Sequence, residues 1–324
     1  MANQDVHLIN PLGDHVGGSE QRTLSLYRLI CKAHAGRTLI WSYGKPHPDI
    51  TAQVPVNVID QSVGSFPKDG ILLFVGVYFP FGDWLSACKP SRIALIVNLL
   101  DHRSLEVNLA ALGRAGHHEI RVAYTSKTLQ AMMQPKGSVL YSLIDLDRFP
   151  PVNASQARFT LGRFSRDKTF KHHHEDAVIY DDVLARGGAV SLMGATALQP
   201  QPRWSPHLTH LPAGSESPAA FLRRLNCFFY RTTPGWLETF GRVIHEAMCS
   251  GLPVVCHRSV GGCEHIQHGK NGLLFNTTSE ALGHLDLLRR DEALRLRMGS
   301  AARDTMLTLH GDRLPEETLA FVLR

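Results

Sequence analysis

Two carboxylates stand eight residues apart in WLETFGRVIHEAMCSG, residues 236–251: Glu238 near the start and Glu246 inside a run with the apolar spacing of a buried helix. An interior Glu is costly unless it is paired or used. The preceding CFFYR reads as a strand, TTPGWLE as a loop and LPVV as the next strand. A helix capped by Thr239 or a neighbour is therefore expected to run to about Cys249 and stop at Gly251. Glu238 then lies in the loop at the helix mouth, and Glu246 two turns in, beside the stripe Val243, Ile244, Ala247 and Met248. A carboxylate accepts hydrogen bonds from a pair of hydroxyls, the chemistry that reads sugars and ribose. Backbone N–H groups of Phe240 and Gly241 would face an anion at the helix start. The same spacing also allows an Arg242–Glu246 ion pair one turn apart, with Glu238 solvated.

Cations occur where such a group would need them. GRFSRDKTFK, residues 162–171, follows the strand FTL and sets Arg163 and Lys168 five residues apart in a polar loop. At the carboxyl end of a parallel strand, two such cations can clamp a diphosphate; the alternative is a solvated basic loop. In GDHVGGSEQRTLSLYRLI, residues 13–30, Gly17 and Gly18 free the backbone just where a helix N-terminus presents unpaired N–H groups, a setting for phosphate. GxGxxG is absent, and an ordinary glycine turn would look the same.

No metal is expected at these positions. His172, His173 and His174 are consecutive, and adjacent helical residues point about 100° apart, so a polar helix start suits them better. Cys256, His257, Cys263, His265 and His268 match no common zinc spacing. HGKNG, residues 268–272, fails as a P-loop because Glu264 stands where its first Gly is required and Asn271 where a Ser or Thr is.

Elements able to position these groups recur along the chain. VHLI, TLIWSY, VNVI, ILLFVGVYF, RIALIVN, IRVAYTS and SVLYSLI, then FTLGRF, AVSLMG, LTHLPA, CFFYR, LPVVCH and GLLF, are short apolar runs separated by helical patterns. Runs apolar on both faces are parallel strands between helices. With 324 residues, two α/β domains are expected. LDRFPPVNASQAR carries Pro150 and Pro151 and no core face, which sets the boundary: domains 1–150 and 151–324, with the amphipathic ending PEETLAFVLR able to dock back on either.

The composition, 44% hydrophobic and 19% charged, is that of a soluble globular chain. The 34 basic and 29 acidic residues leave +5, scattered rather than in runs, which speaks against nucleic acid and suits an anionic small ligand or an anionic membrane surface. No signal peptide and no membrane span is read, and six cysteines without CxxC pairs fit reduced thiols in a cytoplasm.

WLETFGRVIHEAMCSGLPVV together with GGCEHIQHGKNGLLF resembles the C-terminal donor-binding signature of retaining GT-B glycosyltransferases of the family 4 type, with Glu238 and Glu246 as its E-x7-E pair. GRFSRDK is similar to the family's GR-x-S-x-x-K element and GGSEQ to its N-terminal glycine loop. The resemblance implies an α/β GT-B fold, two Rossmann-like domains facing across a cleft, acceptor on the first and nucleotide sugar on the second. It implies a metal-independent enzyme without cofactor that moves a sugar, a hexose or relative, from a nucleotide-diphosphate donor to a carbohydrate, glycolipid or other hydroxyl acceptor with retention. Such an enzyme serves glycan, polysaccharide or glycolipid synthesis in the cytoplasm, including the inner face of the membrane.

By the same resemblance Arg163 and Lys168 bind the donor diphosphate, Glu238 contacts hydroxyls of the transferred sugar, and Glu246 holds the ribose. Gly17, Gly18 and the backbone of Phe240 and Gly241 close around the phosphates. Thr239 departs from the family's Gly after the first Glu, and NLLDHRS follows RIALIVN where many members place an active-site His, a role left to His102 or Asn98. A GT-B sugar-nucleotide epimerase and a non-catalytic sugar-nucleotide-binding subunit are the alternatives.

Overall fold

The computed structural model describes residues 4–152 and 158–324, which form two compact units: residues up to Leu143 with Asp312–Arg324, and Ile144–Gly311. The proline pair that marked the expected boundary at 150/151 lies seven residues inside the second unit, and 153–157 of that linker fall outside the described residues.

In the first unit the chain runs β1 (Val6–Ile9), α1 (Gly18–Ala33), β2 (Thr38–Tyr43), α2 (Pro48–Thr51), β3 (Val56–Ile59), β4 (Ile71–Val75), β5 (Arg92–Val97), α3 (His102–Arg114), β6 (Ile120–Tyr124), α4 (Lys127–Met132) and β7 (Ser138–Val139). These strands form one sheet in the order β3-β2-β1-β4-β5-β6-β7, paired in parallel throughout. Every residue of β4 is buried, whereas the edge strand β3 is half exposed. Centre strands covered by helices on both faces must be apolar throughout, and edge strands need not be.

The second unit runs β8 (Thr160–Phe164), α5 (Asp176–Ala185), β9 (Ala189–Met193), β10 (Leu208–Leu211), α6 (Pro218–Leu222), β11 (Cys227–Tyr230), α7 (Arg242–Cys249), β12 (Val254–His257), β13 (Leu273–Phe275), α8 (Thr278–Arg290) and α9 (Glu292–Thr308). Its parallel sheet has the order β10-β9-β8-β11-β12-β13. β11 is wholly buried, and its core includes Leu161, Leu192, Phe229, Val255 and Phe275.

The ending α10 (Leu314–Leu323) belongs to the first unit. Arg92 donates to the carbonyl oxygens of Val322 and Arg324 at 3.0 and 2.9 Å, and Arg121 to those of Phe321 and Arg324 at 3.2 and 3.0 Å. Two guanidinium groups thus take the carbonyls left without partners at the helix C-terminus, where positive charge is favoured. The fold is of the GT-B class foreseen from the sequence: two Rossmann-like units, each built on a parallel sheet.

Candidate functional site

Ligands of open parallel sheets gather at the carboxyl ends of the strands where the strand order reverses. In the second sheet that place lies between β8 and β11, so it is framed by residues 165–171 after β8 and 231–241 after β11. Both loops are tied together. The rings of Phe170 and Trp236 lie 4.1 Å apart between centroids, and the Thr233 amide donates to the Phe170 carbonyl at 3.3 Å.

Glu238 sits in this frame. Its carboxylate accepts from the ammonium of Lys171 and from the Tyr230 hydroxyl at 2.9 Å, and its side chain is 14% exposed. Burial alone would raise the carboxyl; the Lys171 ammonium, the Tyr230 hydroxyl and the charge of Arg166 outweigh it and hold Glu238 below the usual glutamate range. Tyr230, buried beside that carboxylate, is pushed far up and stays a phenol. The arrangement keeps one ionised oxygen pair at the mouth of the sheet with a cation fixed against it.

The loop that carries Glu238 is pinned from below. The Gly261 amide donates to the Glu238 carbonyl at 2.7 Å, and a Cβ at Gly261 would collide with the Thr239 carbonyl. Gly241 adopts φ 65°, ψ 55°, the left-handed region that favours glycine, and it is the N-cap of α7. The helix expected to start near Thr239 therefore starts at Arg242, because the chain must first turn through Gly241. Its end, with Ser250 as C-cap and Gly251 at φ 74°, is as foreseen. Thr239 and Phe240 are buried in the turn before Gly241, so the turn is packed rather than open.

Glu246 lies on the inner side of α7. The Arg242 guanidinium donates to it at 2.9 Å, with side chains 11% and 8% exposed. Burial pushes this carboxyl up, against the pull of Arg242 and Arg148. Of the two carboxylates, only Glu246 adopts the one-turn ion pair that the spacing allowed.

The two cations of the GR-x-S-x-x-K element separate. Lys168 is exposed at the start of the turn Thr169–Lys171. Arg163, by contrast, is 1% exposed and does not join it: its guanidinium donates to Asp176 at 2.7 Å and to the Lys171 carbonyl. Asp176 is fully buried and also takes Arg231 at 2.6 Å, so a carboxylate without solvent draws both guanidinium groups inward. In this structure Arg163 anchors the loop beneath the site instead of lining it. Lys171, three residues past Lys168, takes the inner position that sequence reading had not assigned; only its place in the same basic loop pointed to it.

In the first unit, Gly17 caps α1 and Gly18 opens it, and a Cβ on Gly18 would meet nothing within 4 Å. The first sheet reverses between β1 and β4, and there Ser19 receives the Asn10 amide at 2.7 Å and the Asn98 amide at 3.1 Å. Asn98 also accepts from Arg22 at 3.2 Å. His102 is exposed at the first turn of α3 and is not a member of this network. The histidines and cysteines weighed for metal disperse: His172 bonds the Gly194 carbonyl at 3.0 Å, His265 meets His245 at 3.2 Å, and His257 meets Ser259 at 2.7 Å. All six cysteines are free thiols.

Comparison with known proteins falls on this same part of the chain. Residues 205–305, which include Glu238 and Glu246, match the family described as "Glycosyl transferases group 1". Sulfoquinovosyl transferase SQD2 of Arabidopsis thaliana is 43% identical over 77 residues, 22% of this chain and 15% of that protein. The chain thus spans under a sixth of the length of that curated relative. HepE of Anabaena, solved in complex with UDP-glucose, superposes with a TM-score of 0.73 at 17% identity over 98% of this chain and 100% of its own. A sucrose-phosphate synthase from Thermosynechococcus elongatus gives 0.70 at 16% identity over 97% of each chain. These likenesses extend the fold over the whole chain. Among the described residues no helix is long and apolar enough to cross a membrane.

Proposed function

We propose that the chain is a retaining, metal-independent glycosyltransferase that moves a sugar from a nucleoside-diphosphate donor to a hydroxyl acceptor. The observation that carries this reading is Glu238: a carboxylate kept ionised by Lys171 and Tyr230 at the strand-order reversal, inside the segment that matches the group 1 family. The relatives point the same way, since HepE is a complex with UDP-glucose and SQD2 is named for sulfoquinovosyl transfer.

In the reaction the bond from the anomeric carbon to the donor phosphate oxygen breaks, and its electron pair leaves with the diphosphate. The acceptor hydroxyl forms the new bond on the same face and passes its proton to the departing phosphate. Charge grows on the diphosphate as the bond breaks, so cations placed there act mainly on the transition state. Lys168 and Arg166 are the cations of the β8 loop assigned to that charge, while Lys171 orients Glu238 toward the sugar hydroxyls. Glu246 reads the ribose, exchanging part of its bond with Arg242 for the hydroxyl pair. In the first unit, Gly17 and Gly18 at the start of α1 are assigned to an anion by themselves. The active-site role in that unit stays with His102 or Asn98, of which Asn98 is the one bonded to Ser19 beside those glycines. The acceptor is a carbohydrate or glycolipid, reached in the cytoplasm or at the inner membrane face.

Thermal denaturation with UDP, GDP, ADP and CMP sugars, followed by acceptor-free hydrolysis, tests the reading. A donor present at a hundredfold its Kd stabilises by about 2.7 kcal/mol. Stabilisation by one nucleotide class and slow release of its sugar are expected; stabilisation by none overturns the proposal.

A further inference from the structure

A second constellation, outside the donor site, lies in the first unit. His15, in the loop between β1 and α1, and His47 and Asp49, at the start of α2, bring one ligand atom each to within 4.8 Å of one another. One oxygen of Asp49 lies 3.6 Å from Nε2 of His15 and 3.9 Å from Nδ1 of His47, and that Nδ1 accepts the Asp49 amide at 3.2 Å, a bond that an ion would have to displace. The imidazole rings lie 4.4 Å apart between centroids.

The two carboxylate–imidazole separations are too long for hydrogen bonds. With metal–ligand bonds of about 2.0–2.1 Å, tetrahedral ligand atoms sit roughly 3.3–3.4 Å apart, so the three groups, already within 4.8 Å of one another, need only small side-chain shifts to share an ion. The loops are held in register without the ion, because the His47 amide donates to the Leu12 carbonyl at 2.9 Å and the Gln21 side chain donates to the His15 carbonyl at 2.7 Å. All three side chains keep access to solvent, at 35%, 31% and 61% exposure, so an ion can enter and a water can complete its shell.

We infer that His15, His47 and Asp49 form a binding site for a divalent transition-metal ion of the zinc class. Two imidazole nitrogens and one carboxylate oxygen suit Zn2+, whereas Mg2+ and Ca2+ call for oxygen ligands. The ion fastens the β1–α1 loop, which ends at Gly17, to the loop before α2. The inference is independent of the sugar-transfer reading, since it needs no donor or turnover.

The test is Zn2+ binding to the metal-stripped full chain, measured by competition with a chromophoric chelator, with Co2+ absorption as a report of geometry. Wild type is expected to bind one equivalent through these residues. His15→Ala and Asp49→Asn should each weaken it at least tenfold, and Zn2+ should raise the Tm of wild type but not of His15→Ala. His15 caps no helix, and His47→Asn keeps a capping side chain on α2, so loss of binding in these variants is separable from misfolding by their circular dichroism. A Cys263→Ser, His268→Gln variant should bind as wild type does. Absence of Zn2+ binding in wild type, or binding untouched by His15→Ala and His47→Asn, overturns the inference.

Discussion

Lys171 and Glu238 come from loops 67 residues apart and meet as an ion pair at the reversal point of the second sheet. The pair is the centre of the candidate site, and removing either member has distinguishable effects. Glu238→Gln keeps a bond to Tyr230 and most of the packing, yet lacks the charge that the proposed function assigns to the sugar hydroxyls. Turnover should fall about 10²-fold or more, the scale of losing one transition-state contact, with Tm nearly unchanged. Lys171→Met should lower turnover as well and should raise the pH at which activity is lost in acid, because the cation that depresses the Glu238 carboxyl is gone. A Glu238→Gln enzyme with full activity would remove the assignment.

Asp176 and Lys168 should behave in opposite ways. Asp176 is buried between Arg163 and Arg231, so Asp176→Ala strands two guanidinium groups and should cost about 3–5 kcal/mol in urea denaturation. Lys168 is exposed, and Lys168→Ala should leave stability within about 0.5 kcal/mol. Nucleoside-diphosphate affinity, measured by calorimetry, should fall in the Lys168 variant.

Gly18 has open space where a side chain would sit and needs no positive φ, so nothing in the fold requires glycine there. Gly18→Ala should keep stability or raise it by up to about 0.5–1 kcal/mol, since Ala is the better helix former. If the glycine serves close approach of a phosphate, kcat/KM drops in the same variant. Unchanged kinetics would place the donor elsewhere.

The strand runs were legible in the sequence because parallel strands buried on both faces are apolar at every position, as β4 and β11 are. The placement of Glu238 in a loop and Glu246 in a helix was legible too, from the strand on either side and from Gly251. What was not legible depended on long-range partners. Arg163 and Lys168 look equivalent in GRFSRDK, but Asp176 withdraws one of them into the core. Lys171 gained its position from Glu238, far along the chain. The late start of α7 follows from the left-handed Gly241, which cap rules favouring Thr239 could not foresee.

Three buried histidines set an acid limit. Burial holds His172 and His310 down to about 3 and His245 well below its ordinary value, helped by Arg163 beside His172, Arg242 near His310, and His265 and His310 near His245. Their folded values lie below the unfolded one near 6.5, so the unfolded chain takes up protons first. The stability they confer is complete above pH 6.5 and is lost as pH falls toward their folded values. Each contributes a slope of up to about 1.4 kcal/mol per pH unit. Denaturation at pH 7, 6 and 5 should show the decline, and His310→Gln should make it shallower by about one proton.

Arg242 and Glu246 supply the test with the opposite sign. Both are largely buried, and removing the cation leaves a carboxylate facing the core, so Arg242→Ala should cost about 3–5 kcal/mol at neutral pH. Burial already raises the Glu246 carboxyl, and loss of Arg242 raises it further. A carboxyl raised above its unfolded value favours the fold fully below about 4.5 and progressively less as pH climbs through the folded value. The Arg242→Ala protein should therefore recover part of its lost stability, relative to wild type, between pH 8 and pH 5. In the double variant Arg242→Ala, Glu246→Gln that recovery should vanish, because no carboxylate remains to protonate. A deficit independent of pH would mean that Glu246 is not the group Arg242 neutralises.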